Sequence, residues 1–115
     1  MLQKGVLMIT QDQINEIIKE IVKNFKPQKV ILFGSYANGT PTEESDLDLL
    51  IIKDSDLPTR LQNRKVRKIL RGLRVPVDVI VKTTEEFDTY KDIIGTIVYP
   101  ANKFGKVIYE SRSNY

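Results

Sequence analysis

The chain contains no cysteine and no histidine, and none of its apolar runs approaches the length of a membrane span. Without cysteine, disulfides, thiol nucleophiles and zinc sites built on sulfur are excluded. Without histidine, proton transfer near neutral pH falls to carboxylates, lysine, tyrosine or metal-bound water. The apolar stretch within residues 1–8 is too short for a signal peptide. We therefore expect a cytoplasmic protein with no membrane partner.

Length and composition indicate one soluble globular domain over residues 1–115. The hydrophobic content of 41% and the charged content of 29% are ordinary for such a domain, and 8% aromatic residues argue against disorder. A net charge of +3 is compatible with anionic ligands without requiring them. A cytoplasmic enzyme and a binding module both fit this composition.

Hydrophobic periodicity predicts alternating helices and strands. Thr10 and Gln13 form a capping-box pair ahead of an apolar helical stripe that ends near Asn24, before Lys26-Pro27. Thr83 and Glu86 repeat that pattern for a later helix. β-Branched and aromatic runs predict strands at 29–33, 47–52 and 75–81, and a short terminal strand or extended segment at 106–110. This order predicts an α/β sandwich, with a small mixed β-sheet flanked by helices.

The stretch from Lys29 to Lys53 carries most of the chemical information. Its first strand ends at the turn Gly34-Ser35, which is followed by a short helix through Asn38 and a polar loop. Asp46 and Asp48 open the next strand on one face, roughly 7 Å apart along the chain. Two carboxylates in one small volume raise one another's pKa unless a cation lies between them. Magnesium suits such hard oxygen ligands and takes its remaining ligands from water and phosphate oxygens.

Gly34 and Ser35 are the predicted phosphate-binding residues, because glycine allows close approach of the backbone to a phosphate and serine adds a hydrogen-bond donor. Asp78 lies within an otherwise apolar strand, where a carboxylate is costly without a cation or donors. A salt bridge to Arg74 is the alternative explanation for Asp78. Phosphate and metal together indicate nucleotide chemistry.

Other motifs in the chain have simpler explanations. Gly34 to Thr40 has the glycine spacing of a P-loop but lacks its lysine, and Leu50 stands where a calcium loop needs a ligand. We expect Glu43 and Glu44 in water beside the site. Asp54-Ser55-Asp56 is typical of residues that begin a helix.

The helix predicted after Leu57-Pro58 runs to about Leu70, with Gly72 as its stop signal. Its outer side is basic over residues 57–71 and beyond. A solvated face is the default explanation; docking of an acidic partner or an RNA, and contact with a triphosphate, are the alternatives. The helix that begins after Thr83 should kink or break near Gly95 and Pro100, and Phe87, Tyr90, Ile94 and Ile97 continue its apolar stripe. Residues 111–115 should fray.

The pattern Gly34-Ser35, ten residues, then Asp46-Leu-Asp48 and a later strand with Asp78, resembles the minimal nucleotidyltransferase (MNT) family of the DNA polymerase beta superfamily. The resemblance implies the nucleotidyltransferase fold, with Gly34 and Ser35 holding ATP and with Asp46, Asp48 and Asp78 binding two Mg²⁺ ions. Many members of the family have arginine where this chain has Asn38. That difference affects a loop or phosphate contact rather than the three aspartates.

The resemblance also implies a mechanism and a partner. One ion would activate an acceptor hydroxyl and the other would steady the leaving pyrophosphate, with Asp78 receiving the proton. Similar chains are often antitoxins of MNT–HEPN pairs that transfer AMP to a tyrosine of a HEPN toxin, so a HEPN-type partner is the leading expectation. A noncatalytic antitoxin acting by contact and a small-molecule nucleotidyltransferase are the alternatives. The sequence leaves the acceptor, the preferred base, the oligomeric state and direct nucleic-acid binding open.

Overall fold

A computed structural model describes residues 8–112 as alternating helices and strands around one sheet. The helices are α1 (Gln11–Phe25), α2 (Ser35–Asn38), α3 (Thr59–Leu70), α4 (Thr84–Tyr90) and α5 (Val98–Phe104). The strands are β1 (Lys29–Phe33), β2 (Leu47–Ile52), β3 (Val77–Lys82) and β4 (Lys106–Glu110). A 3₁₀ turn, Arg71–Leu73, follows α3 directly.

The four strands form a mixed sheet in the order β3-β2-β1-β4. β1 pairs antiparallel with both β2 and β4, whereas β2 and β3 are parallel and are connected by α3. The predicted α/β fold with a small mixed sheet flanked by helices is therefore confirmed. β1, β2 and β4 have the predicted bounds, and β3 begins two residues later than predicted.

The capping residues determine where two of the helices begin. Thr10 Oγ1 accepts from the Gln13 amide at 3.1 Å, and Gln13 Oε1 accepts from the Thr10 amide at 2.8 Å. The pair Thr83 and Glu86 makes the same reciprocal bonds at 3.0 and 2.9 Å. Each pair satisfies two amides that have no partner inside the helix. Both capping boxes predicted from the sequence are confirmed.

Side chains alternate along β2 between two apolar cores, one on each face of the sheet. Leu47, Leu49 and Ile51 pack beneath α1 and α3. Leu50 and Ile52 pack with Phe87 of α4 and Val98 of α5 on the other face. Asp48 shares the parity of Leu50 and Ile52, so its side chain lies on the α4–α5 face. Within residues 8–112 no helix is both long enough and apolar enough to span a bilayer.

The prediction that Asp54 and Asp56 begin a helix is wrong. α3 starts after Pro58, without a side-chain cap. Asp54 instead links three segments: its carboxylate accepts from the Thr84 amide at 2.7 Å and from the Gln28 side chain at 3.0 Å. The sequence cannot show this role because it depends on contacts 26 and 30 residues away.

The end of α3 also differs in detail from the prediction. The helix ends at Leu70 as expected, but Gly72 lies inside the 3₁₀ turn. Arg74 adopts the left-handed conformation, with φ of 54°, that was expected of a glycine. The turn into β3 therefore carries backbone strain at a non-glycine residue next to the strand that bears Asp78.

The apolar stripe predicted after Thr83 breaks as expected, because α4 ends at Tyr90 and α5 begins at Val98. Phe87 is buried, but three later members of the stripe face solvent: Tyr90, Ile94 and Ile97. The prediction that these positions form one helix face is therefore wrong. At the other end of the fold, the Ser111 amide donates to Gln28 O at 2.8 Å, so fraying does not begin at Ser111; residues 113–115 lie outside the described range.

Candidate active site

The site lies where β1 ends and β2 and β3 begin. In the sheet register Asp48 is opposite Phe33, the last residue of β1, and beside Asp78 of β3. Because paired residues of neighbouring strands point to the same face, the Asp48 and Asp78 side chains lie side by side. Asp46 has the same parity two residues earlier, where the Leu47 amide donates to Pro76 O at 2.9 Å. The sheet thus brings together the acids of two strands that are thirty residues apart in sequence.

Gly34 connects β1 to α2 and is pressed against Asp48. Its φ of 77° and ψ of −157° belong to a region that only glycine adopts readily. A β-carbon at this position would overlap the Asp48 carboxylate oxygen and lie 3.1 Å from its Cγ. Glycine is therefore required here both for its conformation and for the closeness of the turn to the acid.

Gly34 is followed by the short helix α2, which has no side-chain cap at its start. The amides of Ala37 and Asn38 both donate to Gly34 O at 3.0 Å. The amides of Ser35 and Tyr36, in the first turn of α2, lie before any possible intrahelical partner. The Ser35 hydroxyl forms no hydrogen bond with another residue of the range 8–112. A phosphate oxygen could therefore be received by both the backbone and the side chain of Ser35.

A hydrogen-bonded loop leads into Asp46. The Thr42 amide donates to Ser45 Oγ at 2.9 Å, and the Ser45 amide donates to Thr42 O at 3.1 Å. Glu43 and Glu44 are exposed, as expected for acids in water beside the site. The sequence predicts only a polar loop for this segment. A Thr and a Ser three residues apart were the available signal for the closed turn.

The three acids share one electrostatic environment. Burial raises the pKa of the Asp48 carboxyl above its ordinary value, and the charges of Asp78 and then Asp46 raise it further. Within residues 8–112 none of the three forms an ion pair, and Arg74 does not pair with Asp78. The salt-bridge explanation for Asp78 is therefore not supported. Asp48 is half-buried, whereas Asp46 and Asp78 are exposed at the rim.

A metal ion has to be considered because the carboxylates lack a counter-charge. Across residues 8–112 no three side chains of Asp or Glu converge closely enough to ligate one ion together. The donor set nevertheless fits magnesium, which uses one or two carboxylates and completes its coordination with water and phosphate oxygens. Asp48 and Asp78 are adjacent carboxylates of that kind, and Asp46 lies on the same face.

Similarity to known proteins agrees with this geometry. Residues 13–100 match the nucleotidyltransferase domain family. A Methanocaldococcus jannaschii protein, provisionally named a protein adenylyltransferase, is 40% identical over 75 residues, covering 60% of this chain and 75% of that protein. The protein adenylyltransferase MntA of Thermococcus cleftensis is 28% identical over 97 residues, covering 80% of this chain and 97% of the relative.

A solved structure shares the fold. It is the MNT antitoxin in complex with the tri-AMPylated HEPN toxin of Shewanella oneidensis. The TM-score is 0.54 and the identity 22%, with 88% of this chain and 72% of the matched chain covered. The family match spans more than half of the chain and includes both the glycine turn and the three acids. The chain therefore belongs to the nucleotidyltransferase family and is a nucleotidyltransferase.

Proposed function

We propose that this chain is a magnesium-dependent protein adenylyltransferase that transfers AMP from ATP to a tyrosine of a HEPN-type partner and so acts as its antitoxin. The observation that carries the proposal is the placement of Asp48 beside Asp78, with the Gly34 turn against the same carboxylate. A triphosphate held by this turn would have its phosphates next to the acids. That is the arrangement that nucleotidyl transfer requires.

Each residue of the site has a role in this proposal. Gly34 and Ser35 hold the triphosphate through backbone amides and a hydroxyl. Asp46, Asp48 and Asp78 would hold Mg²⁺, which would supply the positive charge that the triphosphate and a deprotonating hydroxyl need. Asp78 is exposed at the rim, so its carboxylate can accept the proton of an incoming hydroxyl.

The transfer balances without a further reactant. The tyrosine oxygen forms a bond to the α-phosphorus of ATP, and the bond from that phosphorus to the bridging oxygen breaks. Pyrophosphate leaves, and the tyrosine proton passes to Asp78. With no histidine in the chain, a carboxylate at the rim is the available base.

The choice of a protein acceptor is supported by the relatives. Two of them carry the name protein adenylyltransferase, and the partner in the similar complex is an AMPylated HEPN toxin. A chain that acts on a macromolecule needs a site open to solvent. The exposed rim formed by Asp46 and Asp78 meets that requirement.

The test is transfer of label from α-labelled ATP, with Mg²⁺, to a purified HEPN-type protein. Labelled tyrosine is expected with the wild-type chain and no detectable label with Asp78→Asn. The matched control is Asp56→Asn, which makes the same chemical change in the second Asp-x-Asp motif, on an exposed residue outside the site. Asp56→Asn should transfer AMP at the wild-type rate.

The alternatives give different results in this assay. A contact antitoxin would silence the partner equally well as wild type and as Asp78→Asn, without label on the partner. A small-molecule nucleotidyltransferase would label a hydroxyl compound such as an aminoglycoside when no protein partner is present. Either result would contradict the proposal.

A further inference from the structure

The outer surface of α3 and of the 3₁₀ turn consists of positive charge. Between residues 59 and 74 every exposed residue except Gly72 is arginine or lysine. We refer to these seven side chains as the basic face: Arg60, Arg64, Lys65, Arg67, Lys68, Arg71 and Arg74. Between Arg60 and Arg71 the face extends for about 16 Å at the rise of an α-helix.

The basic face has no internal counter-charge. There is no acidic residue between 57 and 77, and within the described part of the chain the two ion pairs are Lys29–Glu110 and Lys91–Asp88. Lys65 has a ring contact, 5.9 Å from the centroid of Phe25, and the other six side chains have no described partner. The net charge of +3 is therefore unevenly distributed: positive charge is concentrated on the basic face, and the rest of the chain has more acidic than basic residues.

This segregation has a cost in stability. Residues four apart on a helix are neighbours, and like charges at that spacing destabilise it by about 0.2–0.5 kcal/mol per pair. Three such pairs occur: Arg60 with Arg64, Arg64 with Lys68, and Arg67 with Arg71. A polyanion bound across the face would remove this repulsion and release counterions.

The surface chemistry favours a nucleic acid over a protein. Protein interfaces depend on a few buried aromatic or aliphatic anchors. No large apolar side chain between 58 and 77 is exposed, whereas Ile93, Ile94 and Phe104 are exposed elsewhere on the described surface. Leu57, which precedes α3, is the exposed large apolar residue nearest to the basic face in sequence, and the face itself has no such anchor. A surface of cations alone fits phosphates.

Apart from its arginines and lysines, the same face has no exposed side chain that reads or stacks on bases. It has no aromatic residue for stacking, and Gln62 is buried. Both ends of the Asn63 amide are occupied, because Nδ2 donates to Thr59 O at 2.9 Å and Oδ1 accepts from the Val81 amide at 3.2 Å. Binding would therefore involve phosphates and not sequence.

The packing of α3 distinguishes RNA from DNA. One side of α3 is buried through Gln62, Val66 and Leu70, so the helix lies flat on the domain. Entry into the major groove of B-DNA requires a projecting helix with base-reading side chains. A-form RNA instead presents a wide, shallow minor groove flanked by phosphates, which a flat basic surface can contact.

We propose that the basic face of α3 binds duplex RNA through its phosphate backbone, independently of sequence. This function is separate from nucleotidyl transfer, because none of the seven side chains belongs to the acid site. Two RNA duplexes of unrelated sequence should bind equally, and affinity should fall steeply as salt is raised from about 50 to 200 mM.

The experiment measures binding of the full chain to a labelled RNA duplex of about 20 base pairs, longer than the roughly 16 that duplex-RNA-binding domains span. Arg64→Gln with Arg67→Gln should lower the affinity by about tenfold and reduce the salt slope by about two. Glutamine favours helix, so folding should be retained and is checked by circular dichroism. The matched control, Lys103→Gln with Lys106→Gln, removes the same charge from exposed positions elsewhere and should bind as wild type.

Three results would overturn the proposal. The first is equal RNA binding by the wild type and the α3 variant. The second is tighter binding of a DNA duplex of the same sequence. The third is a wild type that binds an acidic protein but no RNA, with an α3 variant that no longer binds that protein. Asp48→Asn should retain RNA binding. Failure of the RNA experiment is therefore distinguishable from failure of the adenylylation assay.

Discussion

The acid site and the basic face of α3 are both clusters of like charge without a counter-ion among residues 8–112, but they are constructed differently. Asp48 is half-buried and fixed by the register of three strands, with the backbone of Gly34 against its carboxylate. The cations of α3 are exposed on long side chains of a single helix. The acid site is rigid and small, whereas the basic face is extended and adaptable.

This difference indicates what each cluster can bind. A compact group of carboxylates, in which the pKa of Asp48 is raised by burial and by its acidic neighbours, suits a small ion and the phosphates that come with it. An extended row of solvated cations has little directional precision and suits a polymer with repeated charges. Rigid geometry should therefore make the acid site sensitive to single-atom changes, while the basic face should respond gradually to loss of charge.

The largest expected effect tests the rigidity of the acid site. Gly34→Ala places a β-carbon on the Asp48 carboxylate in a conformation that only glycine adopts easily. We expect a loss of about 2–4 kcal/mol in the free energy of unfolding, together with loss of transfer activity. Urea denaturation measures the stability.

Gly39→Ala is the matched control for Gly34→Ala. Gly39 also has a positive φ, of 80°, but a β-carbon there would meet nothing within 4 Å. The control should lose only about 1–2 kcal/mol, the cost of the left-handed conformation. Equal losses in the two variants would show that contact with Asp48 is not what requires Gly34.

A smaller effect tests the repulsion among the acids. Because the pKa of Asp48 is raised, the folded state holds this proton more tightly than the unfolded chain does. The group therefore favours folding below its ordinary pKa of 3.8, and that contribution is lost as pH rises through the raised value. Without divalent cations Asp48→Asn should be more stable than wild type at neutral pH, by less than about 1 kcal/mol because the group is partly solvated.

The pH dependence is the decisive feature of that prediction. The advantage of Asp48→Asn should disappear below pH 3.8, where the wild-type carboxyl is protonated in both states. Thermal unfolding across this range, with Asp56→Asn as the exposed control, provides the measurement. If Asp48→Asn were less stable than wild type at neutral pH, the acids would not be in net repulsion.

The smallest effect concerns the basic face. Arg64→Gln with Arg67→Gln removes all three of its like-charge pairs at i, i+4, because Arg64 belongs to two of them and Arg67 to the third. We expect the free energy of unfolding to rise by a few tenths of a kcal/mol at low salt. The difference should fade at high salt, because salt screens the repulsion in the wild type as well. Urea denaturation at two salt concentrations measures it. A loss of stability at low salt would show that these arginines make favourable contacts within the fold.

Much of the fold could be predicted from local sequence signals. The capping pairs at Thr10 and Thr83 fixed two helix starts, because such bonds lie within four residues of each other. β-Branched and aromatic runs predicted the strands. The clearest error occurred where distant contacts decide the outcome, because Asp54 accepts hydrogen bonds from Gln28 and Thr84 instead of beginning a helix.

The sequence by itself determined the chemical groups of the site and their local spacing: a glycine-serine turn, an Asp-x-Asp pair at a strand start, and an acid in a later apolar strand. Only the tertiary structure decided that these groups meet. Strand pairing places Asp78 beside Asp48, and the close approach of Gly34 depends on where β1 ends against β2. The physical reason is that backbone periodicity acts over a few residues, whereas the register between strands is set by packing of the whole sheet between its two cores.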